Sequence, residues 1–155
     1  EGIRSGTDRV ACLADQVAGD VFVNVQGDEP AIEPETIDAA IELVTSNRFE
    51  MATAMTRFET VSEVRSPAAV KVIADHAGRA IYFSRLPIPY GRLDLPDDSA
   101  QLRCFRHLGL YTYRRETLFR IRDLPPSRLE EAEMLEQLRA LEAGISIGVA
   151  EVQSR

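Results

Sequence analysis

The chain has 155 residues, is 45% hydrophobic and 28% charged, and carries a formal net charge of −7. That length fits one domain, and that composition supports a packed core rather than a disordered chain. The acidic balance excludes a broad non-specific nucleic-acid surface, although a local cluster of Arg can still hold a small anion.

No stretch approaches the roughly 18 apolar residues of a membrane span, and none reads as a signal peptide. Cys12 and Cys104 lie far apart with no metal or redox spacing, which fits two free thiols in a reducing cytosol. The chain starts at Glu1 and stops at Gln153-Ser154-Arg155, just after a strand-like run, so both ends are expected to be cut.

Residues 5–20 read as a polar loop followed by a helix, with Val10, Leu13, Ala14 and Val17 at helical spacing and Gly19 as its stop. "VFVNV", residues 21–25, reads as a short buried strand. Residues 33–47 predict a second helix, with Pro34 in its first turn and Ile37, Ile41 and Val44 as its inner stripe. A strand over 51–58 and a short helix over 60–66 follow, the latter capped by Thr60. Residues 69–75 and 79–85 predict two strands joined by the turn "DHAG". Three prolines and an acidic pair make residues 86–104 a loop. A strand over 107–114 leads into a helix over 115–124, ended by Pro125-Pro126. Residues 127–144 predict one continuous helix, opened by a Ser127/Glu130 capping box and closed by Gly144. An alternating strand over 145–152 completes the chain. Alternating strands and helices in the first half point to a layered α/β fold with a mainly parallel sheet.

"QGDEP", residues 26–30, stands at the carboxyl end of the first strand, where open α/β sheets bind ligands. Gly27 allows a tight turn that would project Asp28 into the crevice. An Asp there suits Mg²⁺, which takes one or two carboxylates plus substrate phosphates. The alternative is that Asp28 and Glu29 only cap the following turn; spacing does not choose between them. "SGTDR", residues 5–9, opens a helix, and helix N-termini attract anions. Read alone, it is an N-cap followed by a surface Arg.

Lys71, Tyr82, Arg85, Arg106, His107, Tyr111 and Arg114 recur along the later strands. Strand alternation puts His107, Gly109, Tyr111 and Tyr113 on one face. If the strands ending at Arg85 and starting at His107 are neighbours, Arg85, His107 and Tyr111 could line one pocket for a carboxylate or polyol. In the last helix, Met134, Leu135, Leu138 and Leu141 share a face. Glu133 and Glu136 fall opposite, with Gln137 to one side, which periodicity reads as a solvated acidic surface.

Taken together and in order, "SGTDR", "VNVQGDEP", "AVKVI", "YFSRLPIPY", "RHLGLYTYR" and "EMLEQLRALEAG" resemble the CMP-Kdo synthetase family, the 3-deoxy-manno-octulosonate cytidylyltransferases. The resemblance runs from residue 5 to about residue 150. It implies a Rossmann-like nucleotide-diphospho-sugar transferase fold in one partial domain. Residues 5–60 would form the nucleotide and metal side, and residues 61–150 the sugar-acid and dimerisation side. It implies transfer of CMP from CTP to Kdo with release of pyrophosphate, using Mg²⁺, in the bacterial cytoplasm and for lipopolysaccharide synthesis. It places Asp28 as metal ligand and Gln26 between nucleotide and sugar, with Ser5, Gly6 and Arg9 beside the nucleotide. Arg85 would pair with the Kdo carboxylate, while His107, Tyr111, Glu136 and Gln137 would bond its hydroxyls.

Two family features have no counterpart in residues 1–155: an initial Gly-containing loop with Arg and Lys, and a later Asp-Thr-Pro segment with a second metal-binding Asp. The 155-residue chain alone is therefore expected to be weakly active or inactive, or to be a non-catalytic sugar-acid-binding or dimerisation domain. A homodimer is expected, and an unpaired sheet edge would invite a swapped or strand-augmented form.

Overall fold

The computed structural model describes residues 6–90 and 104–153. Ser5 and most of the loop expected over 86–104 lie outside that range. In chain order the elements are α1 (Gly6–Ala14), β1 (Val21–Val25), α2 (Pro34–Thr45), β2 (Met51–Thr56), α3 (Val61–Arg65) and β3 (Lys71–Ala74). They continue with β4 (Ala80–Ser84), β5 (Phe105–Arg114), α4 (Arg115–Asp123), α5 (Arg128–Glu133), α6 (Gln137–Glu142) and β6 (Ile147–Glu151).

The six strands form one mixed sheet in the order β4-β3-β5-β2-β6, and β1 also pairs with β5. The sheet is not mainly parallel as expected. Among the described strands only β2 and β6 pair in parallel. Strand β5 runs antiparallel to β1, β2 and β3, and β3 runs antiparallel to β4. The cause is the ten-residue β5, which returns through the middle of the sheet after the β3–β4 hairpin. One long reversed strand makes each of its ladders antiparallel.

Both faces of the sheet are covered. Ala52, Ala54, Leu108 and Leu110 pack against Ala40 and Val44 of α2. On the opposite face Met51, Met55, Tyr111 and Tyr113 pack with Ala11 and Ala14 of α1, Leu118 and Ile121 of α4, and Leu138 of α6. Burial on both faces explains why all six residues of β2 are buried and why "MATAMT" lacks polar alternation. Fully buried Leu110, Leu118 and Leu138 each contribute roughly 1.5–3 kcal/mol of burial.

The inner face of α1 differs from the expected one. Thr7, Ala11 and Ala14 are buried, whereas Leu13 and Val17 are exposed. Small residues let α1 lie close to its neighbours, and close approach outweighs side-chain size here. The predicted Ser127/Glu130 capping box is present, and the Thr60 cap is also part of a box, closed by Glu63. Gly144, at φ 76°, ends α6 as expected.

The predicted helix over 127–144 is broken. Helix α5 stops at Glu133, Met134 takes a left-handed φ of 54°, and α6 begins at Gln137. A non-glycine residue in that region costs of order 1 kcal/mol, so something must hold the corner. Arg85 does so in part: its Nε donates to the Glu133 carbonyl and its Nη2 to the Met134 carbonyl, at 2.8 and 3.2 Å. Arg139 of α6 also pairs with Glu130 of α5 across the break. The single-helix face assignment for residues 133–141 therefore fails. Met134 is 75% exposed, and Glu136 and Gln137 turn toward the sheet.

Candidate active site

At the end of β1 the two carboxylates of "QGDEP" part ways. The ladder runs one residue past the strand, with the Gln26 N–H donating to the Gly109 carbonyl at 2.9 Å. Glu29 then reaches across to β5, where its Oε1 accepts the Gly109 N–H at 3.1 Å. Gly109 leaves room for this approach: a Cβ there would stand 2.6 Å from Gln26 Oε1 and 3.1 Å from Glu29 Cγ, so both side chains would have to shift. Asp28 is left exposed. Among the described residues its carboxylate makes no hydrogen bond or ion pair.

Asp28 shares a cavity of about 500 Å³ with Gln26, Arg85, His107, Tyr111, Glu136 and Gln137. That volume suits a small ligand. Gly6 also lines it. Arg9 is exposed on α1 and is not part of the lining; Ser5 lies outside the described residues. Residues from five separate stretches thus converge: the start of α1, the tip of β1, the end of β4, the strand β5, and the α5–α6 corner.

The β5 face carries an aromatic row. His107 and Tyr111 have ring centroids 5.4 Å apart, and Tyr111 and Tyr113 6.1 Å apart. Phe83 of β4 meets His107 edge-on at 5.2 Å. Thr53 Oγ donates to the Leu110 carbonyl at 2.6 Å and stands 2.9 Å from His107 Nε2. With its hydrogen committed, that hydroxyl accepts from Nε2–H, which leaves Nδ1 as the ring's acceptor. Burial brings the His107 pKa down from 6.5 to about 3, so the ring is neutral at pH 7. Burial also pushes the Tyr111 phenol well up, with smaller contributions from Tyr113, Glu136 and Asp28.

A depressed histidine pKa has a definite pH signature. The unfolded ring takes a proton below about pH 6.5, and the folded ring only near pH 3. Stability from this group is complete above pH 6.5 and is lost as pH falls from there toward 3. The His107→Gln variant is expected to show a shallower loss of stability across that window than the parent, measured by denaturant unfolding at stepped pH. Parallel acid limbs would overturn the assignment of a buried neutral ring.

Glu136 ties the start of α1 to the tip of β1. Its Oε2 accepts from the Thr7 N–H and the Thr7 hydroxyl, both at 3.1 Å, and its Oε1 is 3.4 Å from Gln26 Nε2. Gln137 is 2% exposed, and its Nε2 has no hydrogen-bond partner among the described residues. A buried amide without an acceptor is costly, and one on a cavity wall offers a donor to a ligand.

Arg85 is only partly available. Besides Glu133 and Met134 it donates to the Pro67 carbonyl at 3.0 Å through Nη1, and its backbone N–H bonds the Glu133 carboxylate at 2.9 Å. Three of the five N–H donors of a guanidinium are thus used by carbonyls. Lys71 is not a wall residue. It is fully buried, and its ammonium donates to the carbonyls of Ser66, Ala69 and Arg85 at 2.6, 2.8 and 2.8 Å. Arg106 and Arg114 line other hollows. Sequence reasoning missed Arg139, which lines the cavity. It is nine residues from Glu130, a spacing that signals no helical contact.

Among the described residues no group of three or more His, Cys, Asp or Glu side chains could hold a metal ion. The donor set is still compatible with Mg²⁺, which is commonly held by one or two carboxylates completed by phosphates and water. Asp28 supplies one such carboxylate on the cavity wall.

A six-stranded sheet covered on both faces, with a ligand-sized cavity at the tip of β1, defines an α/β protein of nucleotidyltransferase-like fold. The solved structure of CMP:2-keto-3-deoxy-manno-octonic acid synthetase complexed with CTP has the same architecture, with a TM-score of 0.87 at 37% identity. The match covers 98% of this chain and 61% of that one. The inositol-1-phosphate CTP transferase from T. maritima shares the fold at a TM-score of 0.55 and 13% identity, covering 93% of this chain and 50% of that one. The cytidylyltransferase family model matches residues 1–147, and the chain belongs to that family. It is 47% identical to the 3-deoxy-manno-octulosonate cytidylyltransferase of Geobacter sulfurreducens, over 95% of this chain and 62% of the relative. It is 49% identical to that of Solibacter usitatus, over 96% of this chain and 58% of the relative. The chain thus spans about three-fifths of the length of these curated relatives.

Proposed function

We propose that the protein carrying this chain is a 3-deoxy-manno-octulosonate cytidylyltransferase, which joins CTP and Kdo to give CMP-Kdo and pyrophosphate. One observation carries the reading: an exposed carboxylate, Asp28, shares a cavity with a wall suited to an acidic polyol. The relatives' names agree with it.

In this reading a Kdo hydroxyl oxygen attacks the α-phosphorus of CTP. The bond from that phosphorus to the bridging oxygen breaks, pyrophosphate leaves, and the hydroxyl proton is lost to solvent. Chemistry of this kind depends on positioning and charge neutralisation. Asp28 would hold a Mg²⁺ ion, which when bound offsets charge on the phosphate oxygens. Gln26, at the β1 tip, lies between the two substrates. Ser5, Gly6 and Arg9 belong to the nucleotide side. The two guanidinium N–H groups of Arg85 not used by carbonyls pair with the Kdo carboxylate. His107 Nδ1 and Glu136 Oε1 accept sugar hydroxyl hydrogens, Gln137 Nε2 donates to a hydroxyl oxygen, and Tyr111 flanks them.

We further infer a homodimer formed through the sugar-side half. Strand β4 ends the sheet, and Ile81, Leu86 and Tyr90, in and just after it, are exposed apolar side chains. Among the described residues no helix is long and apolar enough to cross a membrane, and the reading places the enzyme in the bacterial cytoplasm. The test is pyrophosphate release by the full-length protein with CTP, Mg²⁺ and a panel of sugar acids. Turnover with Kdo, and at least about a hundredfold less with sugar acids of different hydroxyl configuration, is expected. No turnover with Kdo, or equal turnover across the panel, would sink the assignment.

A further inference from the structure

Tyr113 is fully buried, too deep to touch a ligand in the cavity, yet its hydroxyl has a definite use. It stands 2.9 Å from Thr7 Oγ1. The single hydrogen of the Thr7 hydroxyl goes to Glu136 Oε2, so the Tyr113 hydroxyl must donate to Thr7. The result is a chain of donors, Tyr113 to Thr7 to Glu136, reinforced by the Thr7 amide on the same carboxylate oxygen. Thr7 sits in the first turn of α1, where a backbone N–H has no intrahelical acceptor. Glu136 therefore serves that amide from another element, and in return Oε2 is held by two hydrogen bonds. Among the described residues Oε1 accepts a hydrogen bond from Gln26 Nε2, at 3.4 Å.

We propose that Thr7 and Tyr113 are positioning residues: they lock one oxygen of Glu136, leave the other to accept a hydroxyl of the sugar acid, and tie the start of α1 to the sugar side of the cavity. The ligand half of this statement rests on the cytidylyltransferase reading; the latch itself does not. Sugar-acid binding would then firm the α1 N-terminus on the nucleotide side, through Thr7 rather than through contact between the substrates.

The experiment uses the full-length protein with Thr7→Val, Thr7→Ser and Tyr113→Phe. Losing a hydrogen bond to a charged group is worth about tenfold in binding. Thr7→Val should raise the KM for Kdo about tenfold and change the KM for CTP by less than about twofold. Thr7→Ser, which keeps the hydroxyl, should restore both, and Tyr113→Phe should fall between. An unchanged KM for Kdo in Thr7→Val, an equal rise in both constants, or a Ser variant as impaired as the Val variant would overturn the proposal. Should Thr7→Val fail to fold, Tyr113→Phe carries the kinetic comparison. A second readout needs no catalysis: the Thr7 amide, followed by NMR hydrogen exchange, should exchange about tenfold or more faster in Glu136→Ala than in the parent. Equal exchange overturns the latch. A parent that exchanges slowly but turns over no CTP with Kdo would leave the latch standing and remove the cytidylyltransferase reading.

Discussion

Replacing Asp28 with Asn in the full-length protein is expected to lower CMP transfer by about a thousandfold or more and to leave the fold intact. The carboxylate is exposed and, among the described residues, makes no hydrogen bond or ion pair. Its loss should therefore change stability by no more than about 0.5 kcal/mol. Asn keeps the shape and one oxygen but removes the charge that a magnesium–phosphate complex requires. Pyrophosphate release at saturating Mg²⁺ and the urea midpoint, measured on the same preparation, separate the two effects. Turnover within about tenfold of the parent would defeat the metal role. Glu29→Gln makes the contrast, because Glu29 Oε1 holds the Gly109 amide and a neutral amide oxygen can still accept that bond.

The second large effect is structural. Arg139 is 6% exposed, forms a two-pronged contact with Glu130, and lies 3.7 Å from Asp8. Glu130 also accepts the Ser127 N–H that closes the capping box of α5. Arg139→Met strands a poorly solvated carboxylate and removes the strut between α5 and α6. A loss of about 3 kcal/mol is expected, since breaking one side of a buried pair costs more than the pair contributes. It should be read from denaturant unfolding. The double variant Arg139→Met with Glu130→Met should recover much of that loss, because it removes the Glu130 carboxylate that the single variant strands. If the double variant is no more stable than the single, the corner is held by packing instead. Because the strut supports the Met134 turn, Arg139→Met should also weaken sugar-acid binding through Glu136.

Local chemistry accounts for what was legible in the residues themselves. β-branched and aromatic runs made β1 and β5 visible, and Thr60 and Ser127 marked their helix starts because capping boxes are local devices. Strand alternation put His107, Tyr111 and Tyr113 on one face of β5, where the rings lie in a row. "QGDEP" could be placed at a strand tip with Asp28 toward the crevice, though spacing did not choose between that and a turn capped by Asp28 and Glu29. The family resemblance named Glu136 and Gln137 as pocket residues against their own periodicity, and both line the cavity.

Long-range pairing decided the rest. The antiparallel character of the sheet depends on which strands flank β5, and hydrophobic pattern carries no strand direction. Gly109, eighty positions along, admits Glu29 to the β5 backbone through its missing Cβ, and Asp28 is left on the cavity wall. The break at Met134 arises from Arg85 and from Glu130–Arg139, contacts across forty-nine and nine positions that outweigh local helix preference. Propensity is worth tenths of a kcal/mol per residue, and breaking one side of a buried guanidinium–carboxylate pair costs several times more. For that reason sequence alone determined the element types and the family of this protein, and only tertiary structure decided which side chains meet in its cavity.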